Sequence, residues 1–155
     1  MRSNNRGGLA CATALIAGIA LAAAASAAPP RVVKLKADDK MQYDVKLIDA
    51  KAGEQVKVQL TTVSNLPKTE MSHNFVLLAK GTNADNFAMM AAMARDTNYI
   101  PKGQEKSILA QTSLAGGGET VEVTFTAPKE PGEYMYVCTF PGHYIAGMKG
   151  KLVVK

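Results

Sequence analysis

Apolar and polar residues alternate along much of the chain after residue 30. Val56, Val58 and Leu60 lie at every second position, and residues 121–125 repeat this pattern. Side chains at alternate positions of a strand point to the same face, so the pattern predicts half-buried strands. Short strands separated by turn-forming residues predict an antiparallel sandwich of the all-β class. The turn-forming segments are residues 51–53, 65–67, 116–118 and 128–132.

One segment has the spacing of a helix instead. Phe87, Met90, Ala91 and Ala94 recur at intervals of three and four residues, which places them on one side of a helix. Asn83 precedes these residues, and asparagine commonly caps the N-terminus of a helix. A single helical excursion is therefore predicted around residues 83–95. The segment also contains methionines at 89, 90 and 93, and methionine at helical spacing favours packing against the sandwich.

The start of the chain has the pattern of an export signal. Arg2 and Arg6 precede a long apolar, alanine-rich run that ends in Ala25-Ser26-Ala27, a small-x-small pattern that signal peptidase cleaves. We therefore predict a signal peptide at 1–27, a periplasmic location and a single domain at 28–155. An uncleaved membrane anchor is the alternative, because about 18 to 20 apolar residues are enough to span a bilayer.

Composition and charge exclude several classes of function. The chain has 155 residues, of which 47% are hydrophobic and 20% are charged, and this suits one compact domain. Loss of Arg2 and Arg6 reduces the 18 basic residues to 16, against 13 acidic residues, which leaves a net charge of +3. An excess this small and scattered predicts no nucleic-acid partner. We also predict no membrane span in the mature chain.

The cysteine count is informative for an exported chain. The two cysteines are Cys11, inside the predicted signal peptide, and Cys138. Proteins of oxidising compartments usually keep an even number of cysteines for disulfides. The single mature thiol is therefore buried and inert, paired with another chain, or bound to a group that protects it.

The residues around Cys138 favour the last of these alternatives. Cys138, His143 and Met148 share one short segment, and four residues separate each from the next. Alternate residues of a strand predicted at 133–138 deliver the thiol to one end of the core, and a Pro-Gly turn brings the other two side chains round. Together with His73, the other histidine, they form the donor set of a blue-copper site. Zinc prefers four strong ligands, and ordinary packing explains each residue alone but not the set.

The same residues resemble the copper-ligand loop of azurins, which are small blue copper proteins of the cupredoxin family. The resemblance covers essentially the whole chain after about Val33. It implies an eight-stranded Greek-key β-sandwich or barrel with one helical insertion. The segments that carry it are Cys138-Thr139-Phe140-Pro141-Gly142-His143, Met148-Lys149-Gly150, Met71-Ser72-His73-Asn74, Asn65-Leu66-Pro67-Lys68 and Lys40-Met41-Gln42-Tyr43.

The resemblance implies one copper ion that cycles between Cu(I) and Cu(II). By this resemblance His73 and His143 are the imidazole ligands, Cys138 is the thiolate and Met148 is the axial thioether. The backbone carbonyl of Ser72 would lie near the opposite axial position.

Further residues acquire roles through the same resemblance. Asn74, Thr139 and Phe140 are expected around the ligands, where Asn74 and Thr139 would fasten the two ligand-bearing loops together. The chain also departs from azurins in three ways. Ser72 stands where azurins have a glycine, and the N-terminal disulfide of azurins is absent. Four residues separate His143 from Met148, as in auracyanins, whereas azurins have three.

The implied function is transfer of single electrons between redox proteins, with no catalysis by this chain. The expected partners are c-type cytochromes or copper- and haem-containing reductases, and a monomer is expected. An apolar patch around His143 would be the docking surface. Its predicted members are Met41, Leu66, Met71, Pro141, Gly142, Tyr144, Ile145 and Ala146.

Three other functions remain alternatives at this stage. A copper enzyme related to nitrite reductases or multicopper oxidases would need a second copper centre with further histidines, and the sequence has none left. A copper storage or delivery protein would use the same ligands to hold Cu(I). An adhesive sandwich without metal is the third. The methionines at 89, 90 and 93 raise a second copper site as the alternative to packing.

Overall fold

The computed structural model describes residues 28–155. The predicted signal peptide at 1–27, including Cys11, therefore lies outside the described residues. Within the described part, no helix is long and apolar enough to cross a membrane.

Nine strands within residues 28–155 form two sheets, and the sheets do not close into a barrel. One sheet has the strand order β2-β1-β4-β7, and the other has the order β3-β9-β8-β5-β6. The all-β class and the sandwich are confirmed, with eight strands of three or more residues and the two-residue β2. The strands are β1 (Arg31–Asp38), β2 (Gln42–Tyr43), β3 (Leu47–Ala50), β4 (Gln55–Val63), β5 (Val76–Leu78), β6 (Ile108–Gln111), β7 (Thr120–Thr126), β8 (Gly132–Val137) and β9 (Lys149–Val154).

The prediction of an antiparallel sandwich needs a correction, because two of the seven strand pairs are parallel. β1 runs parallel to β4, and β3 runs parallel to β9, whereas the other pairs are antiparallel. A tight hairpin joins only antiparallel neighbours, so parallel partners must come from separate parts of the chain. Here β2 and β3 intervene between β1 and β4.

The core lies between the two sheets. Val56, Val58 and Leu60 of β4 are fully buried, as the alternating pattern predicts. They join one hydrophobic cluster with residues of the opposite sheet, such as Leu77 and Leu152. Burial of each such side chain contributes roughly 1.5 to 3 kcal/mol, so this cluster is the main source of stability.

Residues 28–155 contain one α-helix, α1 (Ala84–Met93), which begins where the sequence predicts. The Asn83 side chain accepts a hydrogen bond from the backbone N–H of Asn86 at 2.9 Å, which caps the first turn. Two short 3-10 helices follow, at Arg95–Thr97 and Glu105–Ser107.

Helix α1 covers the outer face of the second sheet. Phe87 of the helix packs with Val76 and Leu78 of β5, whereas Leu77 between them packs in the main core. All three residues of β5 are therefore buried, because the main core lies against one face of the strand and α1 lies against the other.

The predicted packing of the helix methionines is wrong. Met89, Met90 and Met93 are 64%, 37% and 86% exposed. The buried side of α1 is formed instead by Ala84, Phe87 and Ala91, which lie three and four residues apart. The three thioethers consequently face away from the sheet.

Candidate metal centre

Strand β8 carries the thiol to one end of the sandwich. Tyr134, Tyr136 and Cys138 occupy alternate positions and all belong to the main core, as the sequence predicts. The chain then turns back beside itself. The backbone N–H of Cys138 donates to the carbonyl of Met148 at 3.1 Å, and the N–H of Met148 donates to the carbonyl of His143 at 2.9 Å.

A tight turn places His143 next to Cys138. The backbone N–H of His143 donates to the carbonyl of Phe140 at 3.1 Å. Gly142, at the centre of this turn, has a φ of 83°, a left-handed conformation that glycine adopts without steric cost. The Pro-Gly pair in the sequence therefore encodes the turn that the histidine requires.

His73 reaches the same end of the sandwich from another loop. It forms an isolated antiparallel bridge with Ala115, in which the two N–H···O distances are 3.0 and 2.8 Å. This pair of hydrogen bonds fixes the backbone of His73 just before β5 begins.

The structure brings His73, Cys138 and His143 together. One ligating atom from each lies within 4.8 Å of the others, and all three side chains are buried. The Nδ1 atoms of the two histidines are 3.2 Å apart, and Nδ1 of His143 is 3.4 Å from Sγ of Cys138. Donors that share an ion at metal–nitrogen and metal–sulfur distances of 2.0 to 2.3 Å lie roughly 3.3 to 3.8 Å apart. The spacing fits one metal ion bound by all three.

Burial sets the protonation of these groups. It lowers the pKa of His73 to about 4, against a smaller opposing effect of Asp39 and Asp38. Burial and the neighbouring charge of His73 likewise lower the pKa of His143 to about 4. Both imidazoles are therefore neutral at pH 7, which is the form that binds metals.

The thiol is protonated until a metal binds. Burial raises the pKa of Cys138 to about 12, and the backbone N–H groups of Asn74 and Phe140, directed at the sulfur, partly oppose this increase. These two donors favour a thiolate at Sγ, but burial outweighs them in the metal-free protein. A metal that binds there must displace the thiol proton.

The His73 ring has a second unusual feature. Its Nε2 is the one buried side-chain nitrogen or oxygen atom in residues 28–155 that has no hydrogen-bond partner. Buried polar atoms are nearly always satisfied, so such an atom marks a functional position. The opposite ring nitrogen, Nδ1, lies 3.2 Å from Nδ1 of His143, which is consistent with a ring oriented for metal binding.

Asn74 and Thr139 connect the two ligand-bearing loops. The Asn74 side chain donates to Oγ1 of Thr139 at 2.8 Å and accepts from the backbone N–H of Thr139 at 2.9 Å. The hydroxyl of Tyr43 donates to the backbone carbonyl of Asn74. These bonds hold the loop of His73 against the loop of Cys138.

Two residues that sequence reasoning did not assign also hold the ligand loop. Gln42 donates through Nε2 to the carbonyl of Ala146 at 2.8 Å, and Lys46 donates through Nζ to the carbonyl of Gly147 at 3.1 Å. Both carbonyls belong to residues that lie between His143 and Met148 in the sequence. The only signal in the sequence was the short matching segment that contains Gln42.

Ser72 and Met148 are both fully buried beside the centre. The Ser72 hydroxyl donates to the carbonyl of Lys68 and so closes the turn that precedes His73. Met148 packs in the main core cluster that also contains Cys138.

The predicted docking residues divide into three groups. Leu66, Pro141, Gly142, Ile145 and Ala146 are exposed, and Met41 and Met71 are half-buried. Tyr144 differs from the prediction, because it is only 8% exposed and its hydroxyl donates to the Asp85 carboxylate at 2.8 Å. It anchors the ligand loop to α1 rather than facing solvent.

Comparisons with known proteins point to one family. A model of copper-binding proteins of the plastocyanin/azurin family matches residues 31–155. Azurin of Pseudomonas fluorescens biotype C is 38% identical over 126 residues, which cover 79% of this chain and 97% of that protein. Auracyanin-A of Chloroflexus aurantiacus is 38% identical over 120 residues, which cover 75% of this chain and 68% of that protein.

Solved structures agree with the sequence comparisons. The structure of auracyanin A, a "blue" copper protein of Chloroflexus aurantiacus, has a TM-score of 0.72 at 35% identity and covers 82% of this chain and 100% of its own. An azurin of Methylomonas sp. strain J has a TM-score of 0.70 at 29% identity, with coverage of 81% and 98%.

Proposed function

Because the chain belongs to the plastocyanin/azurin family of copper-binding proteins, we propose that it is a periplasmic type 1 copper protein that carries single electrons between redox proteins. Copper is the metal of this family, and its azurins and auracyanins are electron carriers rather than enzymes. The observation that carries the proposal is the convergence of three buried ligating atoms, from His73, Cys138 and His143, within 4.8 Å.

The ligand roles follow from this convergence. His73 and His143 would bind through Nδ1, and Cys138 would bind through Sγ. Met148, which is buried in the same core cluster, would supply a thioether, and Ser72 would offer its backbone carbonyl. When bound, copper supplies a one-electron couple between Cu(I) and Cu(II).

The surrounding residues keep the ligands in one arrangement. The bonds between Asn74 and Thr139 tie the two loops together, and two backbone N–H groups direct their hydrogens at Sγ of Cys138. Ligands held by such partners move little when the charge at the centre changes. A small rearrangement favours rapid electron transfer.

Location and partners extend the proposal. The small-x-small pattern at 25–27 supports cleavage of a signal peptide at 1–27, and the family match from residue 31 supports a mature domain at 28–155. We propose a monomer that exchanges electrons with c-type cytochromes or with copper- and haem-containing reductases.

The proposed docking surface surrounds His143. Leu66 and Ile145 are 42% and 86% exposed, and Pro141, Gly142 and Ala146 are also exposed beside the ligand. Met41 and Met71 complete this surface. A small apolar contact brings two redox centres close without strong charge pairing, so the complex also dissociates rapidly. Electrons would leave through the His143 side of the centre.

Redox cycling tests the carrier function. Protein loaded with one copper per chain should be reduced and reoxidised repeatedly without loss of metal, because the ligands stay in one arrangement. The measurement is controlled-potential electrolysis followed by copper analysis. Release of copper in either oxidation state would indicate a storage or delivery protein instead.

Replacement of Met148 by leucine tests the axial position. The variant should keep its copper but have a higher reduction potential, because loss of a weak thioether donor disfavours Cu(II) more than Cu(I). Cyclic voltammetry measures the change. Met135→Leu, the same substitution at a half-buried residue of β8, is the control and should leave the potential unchanged. An unchanged potential in Met148→Leu would remove Met148 from the ligand set.

A further inference from the structure

Three exposed methionines lie together on α1. Of the nine large exposed hydrophobic side chains in residues 28–155, Met89, Met90 and Met93 are three. Residues 89 and 93 are four apart in sequence, which places their Cβ atoms about 5 to 6 Å from each other. Exposure of such side chains forgoes the stabilisation that burial would provide. A cluster of them on one short helix therefore indicates a binding role.

The methionines share a groove with the metal centre. The groove has a volume of about 710 Å³, and Met89, Met90 and Met93 contribute to its lining. Cys138 and Phe140 of the ligand loop contribute as well. The groove thus lies between the exposed thioethers and the loop that carries the ligands Cys138 and His143.

We propose that this methionine face is a second metal site, which binds Cu(I) and supplies it to Cys138. Binding at the face stands independently of the proposed electron-carrier function, whereas the supply role rests on it. The thioether is a soft, neutral donor, and soft donors select Cu(I) over calcium, magnesium or manganese.

The other polar groups of the groove do not favour a hard cation. The Asp85 carboxylate accepts a hydrogen bond from the Tyr144 hydroxyl at 2.8 Å. The Thr139 hydroxyl accepts a hydrogen bond from the Asn74 side chain at 2.8 Å. The groove therefore offers one carboxylate, whereas calcium takes six to eight oxygen ligands and magnesium six, and three thioethers line the same groove. This arrangement distinguishes the face from a calcium or magnesium site.

Transfer from the face to Cys138 is a ligand exchange. The bonds from the thioethers to Cu(I) break, bonds from Sγ of Cys138 and from Nδ1 of His73 and His143 form, and the thiol proton passes to solvent. The ion remains Cu(I) throughout, so no oxidant or reductant is needed. Thioethers bind more weakly than a thiolate and two imidazoles, so the exchange proceeds toward the buried centre.

A titration of the reduced, copper-loaded protein with Cu(I) under anaerobic conditions tests the binding. With the buried centre already filled, one further Cu(I) should bind per chain and shift the NMR signals of the Met89, Met90 and Met93 methyl groups. The variant Met89→Leu/Met90→Leu/Met93→Leu should lose at least 10-fold in affinity for this second ion. Leucine keeps the apolar surface and the helix propensity while it removes the sulfur.

The control is Met135→Leu, a methionine of β8 that is not part of the groove lining, and it should bind the second ion like the wild type. Absence of a second ion, or equal binding by the triple variant, would overturn the proposal and leave the face as an apolar contact surface for another protein. This readout does not depend on colour, so it remains valid even if the electron-carrier function fails.

The supply role has its own measurement. Metal-free protein should take up Cu(I) from a chelator several-fold more slowly in the triple variant, whereas the final affinity of the buried centre should stay the same. An unchanged rate of uptake would overturn the supply role.

Discussion

Cys138→Ser should abolish the intense visible colour that we expect of the oxidised, copper-loaded protein. The colour arises from charge transfer between a thiolate and Cu(II), and a serine hydroxyl is a hard donor that stays protonated at pH 7. Affinity for copper should fall by more than the roughly 10- to 100-fold that loss of a ligand's hydrogen-bond partner costs. Absorption spectroscopy and a competition titration with a chelator measure the two effects.

The fold should survive this substitution, because serine is smaller than cysteine and the core around Tyr134 and Tyr136 remains in place. Circular dichroism of the metal-free variant checks this point. Ser72→Ala is the matched control, because the Ser72 hydroxyl donates to Lys68 rather than to a ligand, and it should retain the colour. A folded Cys138→Ser protein that stays intensely coloured would refute the thiolate assignment.

Leu66→Glu should slow electron self-exchange about 100-fold or more while it leaves the visible spectrum and the reduction potential nearly unchanged. In self-exchange two copies of the proposed docking surface would meet, so each encounter would bury two like charges. Juxtaposed like charges cost several kcal/mol, and about 3 kcal/mol corresponds to roughly a 100-fold change in rate. NMR line broadening in mixtures of oxidised and reduced protein measures the rate.

Val32→Glu is the matched control for charge. Val32 is 48% exposed, similar to Leu66 at 42%. Val32 lies near the start of β1 and pairs with Lys57, near the start of the parallel strand β4. Leu66 follows the end of β4, so the two residues lie at opposite ends of the sheet. The same added charge at Val32 should leave exchange fast. Fast exchange in Leu66→Glu as well would mean that electrons leave through another face.

The strands and the helix start could be predicted because their signals are local. In β4 the alternation of Val56, Val58 and Leu60 directly encodes one buried face. Asn83 caps α1 through a bond to a residue only three positions away. Such patterns depend on near neighbours in sequence, so they survive in the folded chain.

The sequence was a poorer guide to which strands pair and to which side chains are exposed. The parallel pairing of β1 with β4 depends on a crossover through β2 and β3, which periodicity does not encode. A helical pattern likewise does not say which side meets the sheet, and Phe87 and Ala91 occupied the side that the methionines were expected to share. Tyr144 was expected at the surface, but a bond to Asp85 on α1 keeps it buried.

The metal centre shows the same division. Cys138, His143 and Met148 lie in one short segment, so sequence spacing alone indicated a common site. His73 comes from 65 or more residues away in sequence, so no local spacing links it to the others; it was included as the other histidine, and the resemblance to azurins gave it a ligand role. The supporting contact of Gln42 with Ala146 joins residues 104 positions apart, and no local pattern reveals such a bond.

The optical spectrum of the copper-loaded protein tests the central claim most directly. One equivalent of Cu(II), added to the metal-free wild type, should produce an intense visible absorption that saturates at one copper per chain and disappears on reduction. A protein that binds one copper by elemental analysis but stays colourless when oxidised would contradict a site built from His73, Cys138 and His143.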